Sequence, residues 1–319
     1  MKVIFMGTPD FAVGTLEAII KAGHEVAAVV TQPDKPKGRG GAMAESPVKV
    51  AAKAHGLNIL QPVKARNPEF IEELRSLDAD VMVVVAFGQI LTEEILNMTK
   101  YGCINVHASL LPKYRGAAPI QYAVIDGCEY SGVTTMQMDA GIDTGDMLLV
   151  EKVKLDDKET GGSLFERLSS VGAELLVKTL ELAGKGELHP IKQNEEESTY
   201  VKMISKSMGE LDFSKSAVVL ERLIRGLNPW PSAFMHINGK LLKIWDADVV
   251  TEAEYDKLAV KHPDCFKTGA KPGETAVVTK DAFYIKCAAD YLKVNEVQLE
   301  GKKRMMTDAF LRGNNMENL

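Results

Sequence analysis

The sequence predicts an α/β protein: a Rossmann-like, mostly parallel sheet with helices on both faces, followed by a small C-terminal β-barrel of OB-like type. Three observations predict it. Unbroken apolar runs recur through the first half, as strands buried on both faces require. Stretches of helical periodicity separate them, and alternation of this kind means crossovers in a parallel sheet. Beyond residue 208 the pattern changes to short alternating strands with turn residues between them, the signature of a small barrel.

In chain order, Val3 to Met6 reads as the first buried strand and stops at Gly7. Phe11 to Ala22 has helical spacing, with Gly23 as its stop. Val26 to Val30, Val81 to Val85 and Cys103 to Val106 are further buried strands, with a helix over Asn67 to Leu77. Gly132 to Met138 is another apolar strand, and Gly162 to Leu182 is a long amphipathic helix that closes the domain. Gly184 to Met208, with Pro190 and the acidic run Glu195 to Glu197, reads as a linker over the surface. Ala217 to Arg225 is helical. Strands then follow at Ala233 to Ile237, Leu241 to Ala247, Thr275 to Thr279, Ala282 to Lys286 and Tyr291 to Leu299. The expected partition is a domain over 1–189, a linker over 190–207 and a second domain over 208–319.

Hydrophobic residues make up 45% and charged residues 26%, ordinary for a soluble globular chain. The apolar start at Met1 to Met6 is too short for a signal peptide, and the run Val81 to Phe87 is broken by Gly88. No membrane is expected, and the cytoplasm is the expected compartment. Cys103, Cys128, Cys265 and Cys287 are scattered without a Cys-x-x-Cys pair, so no metal site is expected. The net charge of −6 argues against a nucleic-acid partner, but its distribution softens that. From Ser207 onward 16 basic residues balance 16 acidic ones, which leaves 22 basic against 28 acidic in the first two-thirds.

Several motifs are missing. Gly7-Thr8-Pro9-Asp10 follows the first strand but lacks the later glycines of a dinucleotide fingerprint, so NAD is not expected. No Gly-x-x-x-x-Gly-Lys-Ser/Thr occurs. Asp139 to Asp146 resembles a calcium loop only faintly, with Val150 where a bidentate Glu belongs.

One constellation remains. Asn105 and His107 are two apart at the end of a strand, so they share a face where α/β sheets hold ligands. From these two residues alone, a structurally satisfied histidine is a better reading than a functional one. The Gly- and Asp-rich turn with Asp139, Asp143 and Asp146 could merely reverse the chain. A carboxylate from it beside His107 would orient the ring, and with the Asn105 amide the pair could hold a developing oxyanion.

Asn105-Val-His107-Ala-Ser109-Leu-Leu-Pro112, Lys113-Tyr-Arg-Gly-Ala-Ala-Pro119 and Asp139 to Asp146 resemble the 10-formyltetrahydrofolate-dependent formyltransferases. Within that family, Gly7 to Phe11, Gln32 to Gly40 with Ser46-Pro-Val-Lys49, and Asn228-Pro-Trp-Pro231 are similar to the methionyl-tRNA formyltransferases. The similarity runs from residue 1 to Arg304. It implies transfer of a formyl group from 10-formyltetrahydrofolate to methionyl-initiator tRNA, without metal or NAD, by a monomer. Asn105, His107 and Asp143 would be catalytic. The folate would lie against Phe87, Gly88, Gln89, Ile90, Ser109, Leu110, Leu111, Pro112 and Asp139, although Phe87 and Ile90 read equally well as core. The tRNA would meet Lys35, Lys37 and Arg39 on a glycine-rich loop, and Lys302, Lys303 and Arg304 in the second domain. Many relatives carry lysines where this chain has Gly41-Ala42-Met43. Each basic group also reads as a solvated turn.

Overall fold

The computed structural model describes residues 1–37, 42–261 and 269–314. In order, the elements begin with β1 (Lys2–Gly7), α1 (Asp10–Lys21), β2 (Glu25–Val30), β3 (Lys35–Lys37), β4 (Ala42–Ala44) and α2 (Pro47–Ala54). They continue with β5 (Ile59–Leu60), α3 (Pro68–Ser76), β6 (Val81–Val85), α4 (Glu93–Leu96), β7 (Cys103–His107), β8 (Arg115–Gly116) and α5 (Pro119–Ile125). Then come β9 (Tyr130–Gln137), β10 (Met147–Lys154), α6 (Gly161–Lys185) and β11 (Tyr200–Val201). The last third holds α7 (Ala217–Gly226), β12 (Ala233–Ile237), β13 (Lys240–Val250), α8 (Glu252–Lys261) and β14 (Thr275–Val278). It ends with β15 (Phe283–Lys286), β16 (Tyr291–Leu299), β17 (Met305–Met306) and α9 (Thr307–Leu311).

The chain divides into two compact units. The first comprises 1–119, 130–154 and 165–202, and the second 120–129, 155–164 and 203–319. The seven-stranded sheet of the first unit has the order β10-β9-β7-β6-β1-β2-β5. Strands β5, β2, β1, β6 and β7 run parallel, while β9 is antiparallel to β7 and β10 to β9. The chain moves outward from β1 to β2 and β5, then returns to the other side of β1 with β6. The carboxyl ends of β1 and β6 therefore flank a switch point, where α/β sheets leave a crevice.

Alternation sorts the strands between two faces. Ile4, Met6, Met82, Val84 and Cys103 pack with Phe70, Leu74, Ile95 and Leu96 of α3 and α4. On the opposite face a Cβ on Gly172 of α6 would come within 2.9 Å of Val106, so only glycine allows that approach. Gly7 closes β1 against α1 for the same reason, since a Cβ there would lie 2.8 Å from the Ala12 Cβ.

In the second unit β12-β13-β16-β15-β14 form an antiparallel sheet with β17 on β16. Leu220 and Ile224 of α7 pack on Ile244, Leu292, Val294 and Val297. Tyr255 of α8 stacks on Tyr291 with ring centroids 3.7 Å apart. Among the described residues no helix is long and apolar enough to cross a membrane.

Two expectations are revised. The closing helix runs three residues past Leu182, so Gly184 belongs to α6. The stretch beyond it does run over the surface, with most of its residues exposed, but it is paired to the domain. Met147 bridges to Ile191, and β11 pairs with β8 in parallel, Tyr200 opposite Arg115 and Val201 opposite Gly116. Its backbone groups find partners in β10 and in the loop after β7, which a free tether would leave to water.

Candidate active site

Asn105 and His107 lie on the face of β7 that carries Cys103, at the strand's carboxyl end. The Asn105 Nδ2 donates to the Val84 carbonyl at 3.0 Å, while its Oδ1 is buried without a partner. His107 is buried, and its Nε2 lies 3.0 Å from the Tyr114 carbonyl. A carbonyl only accepts, so that nitrogen bears a hydrogen. The other ring nitrogen, Nδ1, is 3.6 Å from the Asp143 Oδ2. That carboxylate oxygen accepts the Gly116 N–H at 2.7 Å. All three expected catalytic residues thus converge on one end of the sheet, with Asp143 brought in from the turn between β9 and β10.

The backbone here is unusual. Ala86, Tyr114 and Asp143 have φ of 47°, 59° and 54°, the left-handed region that non-glycine residues avoid. Such conformations persist only where surrounding contacts over-determine them. Those contacts are visible. Tyr114 N donates to the Thr199 Oγ1 at 2.8 Å, and Arg115 N to the Thr199 carbonyl at 2.8 Å. Ser109 Oγ donates to the Lys113 carbonyl at 2.7 Å, closing the loop on itself. Thr134 Oγ1 donates to the Ser109 carbonyl at 2.7 Å and accepts from Leu111 N at 3.2 Å, which ties the loop to β9. Leu110 packs so closely on Gly132 that a Cβ there would meet it at 2.5 Å.

Arg115 is fully buried and bound on every side. Its Nη1 and Nη2 grip both Glu195 oxygens at 2.9 and 2.7 Å, Nη1 also meets the Tyr200 hydroxyl at 2.8 Å, and Nε donates to the Gln193 Oε1 at 3.0 Å. The guanidinium hydrogen-bonding Glu195 holds that carboxyl below the usual range, and Glu195 in turn raises Arg115. Arg115, Gln193 and Glu195 are not marked as site residues by the sequence pattern. Their separation of 78 and 80 residues hides the pairing. The only signal was a charged residue inside the Lys113-Tyr-Arg-Gly motif.

Phe87 and Gly88 follow β6 and line a pocket of about 340 Å³ with Thr8, Gln32, Lys35 and Ser46. It opens at the β1–β6 switch point. Gln32 Nε2 donates to the Phe87 and Gly88 carbonyls at 3.2 and 2.9 Å, and its Oε1 accepts from Lys35 Nζ at 2.9 Å. The pocket thus joins two residues expected to meet folate with one expected to meet tRNA. The neighbouring expectations fit less directly. The Gln89 amide is occupied, with Oε1 accepting from Ala65 N at 2.8 Å and Nε2 donating to the Pro62 carbonyl at 3.1 Å. Ile90 is 90% exposed, so it is no core residue. Asp139 Oδ1 is engaged by Gly141 N and the Thr144 hydroxyl at 3.0 and 2.6 Å, and shapes its own turn. Ser109, Leu111 and Pro112 belong to the loop over His107 rather than to the pocket lining.

The basic loop rises from a firm base. Thr31 and Ser46 hydroxyls meet at 2.7 Å, and Lys49 Nζ pairs with Asp34 at 2.7 Å. Strands β3 and β4 then form a hairpin, with Lys35 opposite Ala44 and Lys37 opposite Ala42. Lys35 is exposed, and Arg39 lies outside the described residues. In the second unit Lys302 and Lys303 are exposed. Arg304 pairs with Glu296 and lies over the Trp245 ring, 4.7 Å from its centroid, where Lys243 also approaches at 5.4 Å.

A family model described as formyl transferase matches residues 1–180, and one for the formyl transferase C-terminal domain matches residues 203–315. The chain belongs to the formyl transferase family. Among similar proteins, the methionyl-tRNA formyltransferase of Lachnospira eligens is 65% identical over 99% of this chain and 98% of its own length. That of Agathobacter rectalis is 56% identical over the same shares. An N-formyltransferase from Helicobacter canadensis, solved with folinic acid and dTDP-3-aminofucose, superposes with a TM-score of 0.66. It is 21% identical and covers 92% of this chain and 98% of its own, a likeness of fold.

Proposed function

We propose that this chain transfers the formyl group of 10-formyltetrahydrofolate to the α-amino group of methionyl-initiator tRNA. The observation that carries the chemistry is the convergence of Asn105, His107 and Asp143, with Asp143 Oδ2 held by Gly116 N and 3.6 Å from His107 Nδ1. The substrate assignment rests on relatives of that name at 65% and 56% identity across essentially the whole chain.

In this reading the neutral amine attacks the formyl carbon, forming a C–N bond and a tetrahedral oxyanion. The amide of Asn105 has a second hydrogen beyond the one given to Val84, and supplies it to the oxyanion. His107 supplies its Nε2–H, released from the Tyr114 carbonyl. Asp143 orients the imidazole and takes part in moving the amine proton, through water, to N10 of the leaving tetrahydrofolate. The C–N10 bond then breaks and no covalent enzyme intermediate is needed. The unpartnered Asn105 Oδ1 suits an N–H of the attacking amine.

The donor is assigned to the crevice beside Phe87 and Gly88, with the loop of Ser109, Leu110, Leu111 and Pro112 and the Asp139 turn at its rim. Gln89 and Ile90 would contribute backbone rather than side chain. Lys35, Lys37 and Arg39 are assigned to the acceptor stem in this reading, and Lys302, Lys303 and Arg304 to a tRNA-binding second domain over 208–319. The enzyme works as a cytoplasmic monomer without metal or NAD. Purified protein is to be assayed with methionyl-initiator tRNA, methionyl-elongator tRNA and a nucleotide-linked amino sugar, each with 10-formyltetrahydrofolate. The initiator tRNA is expected to be formylated fastest. Preference for the amino sugar would overturn the assignment.

A further inference from the structure

Among the described residues Arg115 heads the fully buried side chains by size, yet it touches no reacting group in the mechanism above. Its Nε can only donate, so the Gln193 side chain must turn its Oε1 toward Arg115. The orientation of the whole amide follows. Gln193 Nε2 is thereby aimed at the turn between β9 and β10, where it donates to the Asp143 and Gly145 carbonyls at 2.8 and 2.7 Å. These carbonyls flank Thr144, so one amide pins both sides of the residue that follows Asp143.

The Asp143 backbone sits at φ 54°, in the left-handed region that costs a residue with a Cβ some free energy, and the two hydrogen bonds from Gln193 hold it there. Its side chain is held in turn by the N–H of Gly116, the residue next to Arg115. Glu195 and Tyr200 complete the ties on the guanidinium. A continuous chain of contacts therefore runs Glu195–Arg115–Gln193–Asp143.

We propose that Gln193, oriented by Arg115, is a positioning residue for Asp143, so that the segment after α6 is part of the catalytic apparatus and not only a connection. This rests on the reading of Asp143 as catalytic. Misplacing a reacting group by about 1 Å costs on the order of 100-fold in rate. Without the amide, Asp143 is free to relax from the left-handed conformation and its carboxylate to move from His107.

Gln193→Ala and Gln193→Glu test this in the full chain, with kcat and KM for both substrates measured beside thermal unfolding. Gln193→Glu keeps an acceptor for Arg115 but turns a carboxylate oxygen toward the two carbonyls. A tether acting only through Arg115 would survive that change. The expected result is a fall in kcat of about 10- to 100-fold in both variants, with KM within threefold and no rescue by Glu. If Gln193→Ala is recovered unfolded, Gln193→Glu decides alone. A kcat within twofold of wild type, recovery in Gln193→Glu, or a rise in KM at constant kcat would overturn the proposal. Asp143→Asn is run in parallel to separate two failures. Full turnover in that variant removes Asp143 from the mechanism, whereas its loss with active Gln193 variants sinks only the positioning role.

Discussion

Truncating Asn105 to alanine should separate activity from stability, and the structure says by how much. The side chain makes one hydrogen bond, Nδ2 to the Val84 carbonyl at 3.0 Å, and buries Oδ1 with no partner. Losing the bond costs about 0.5–1.5 kcal/mol net, while removing an unsatisfied buried acceptor returns about 1–3 kcal/mol. The two oppose each other, so the folded state should be little changed or slightly stabilised. A unit of this size moves by about 2–4 °C in Tm per kcal/mol, so Tm is expected to stay within a few degrees of wild type or rise. Activity should behave otherwise. An oxyanion donor lost from a water-excluded site costs about 2.7–4 kcal/mol, or on the order of 100- to 1,000-fold in kcat. The assay is single-turnover formylation of methionyl-initiator tRNA with saturating donor, beside a thermal melt of the same preparation. A kcat within threefold of wild type would take Asn105 out of the mechanism. A Tm loss approaching 10 °C would mean that the residue is there to hold β7 to β6.

Gly116→Ala should damage both fold and turnover, because φ is +105° and a Cβ would meet the Val201 carbonyl oxygen at 2.4 Å. A melt and a kcat measurement should fall together, and an unchanged Tm would show that β8 and β11 part without penalty. Burial pushes the Cys103 and Cys287 thiols up to about 12. The native protein should therefore resist their alkylation at pH 8, as read by mass spectrometry. The same shift makes their contribution to stability complete below the ordinary thiol value of about 8.5 and lost as pH rises toward 12, so Tm should decline across that window. Glu195 has the opposite sign, since Arg115 holds its carboxyl low. Its contribution is complete above the ordinary value of about 4.3 and lost as pH falls through the depressed one. The Tm difference between wild type and Glu195→Gln should narrow as pH falls below the ordinary carboxylate range, and a gap that does not change with pH there would contradict the ion pair.

Much of the first unit was legible because burial on both faces leaves a mark on the residues themselves. β1, β2, β6 and β7 are built mainly from apolar residues, and apart from Lys2, the first half of β2 and Asn105 they are buried. The edge strand β10 was not legible: Glu151, Lys152 and Lys154 lie in a strand whose outer half is exposed, so no core-facing pattern marks it. The charged helix α8 escaped for the same reason, with Tyr255 as its single large buried anchor. The antiparallel sheet beyond residue 208 was readable from its turns, since Asn238 and Gly239 both adopt the positive φ that such residues permit.

The candidate site divides along the same line. Asn105 and His107 share a face because strand geometry repeats every two residues, and that is a local property any sequence carries. The approach of Asp143 Oδ2 to His107 Nδ1, the orphaned Asn105 Oδ1 and the buried Arg115 held by Gln193 and Glu195 are of another kind. They join segments tens of residues apart, and their energies come from desolvation and from partners that exist only once the chain has closed those loops. Composition and periodicity determined the sheet and the face on which chemistry could occur. Tertiary packing decided which polar groups were left without water there, and so which of them had to be held and which stayed open for a ligand.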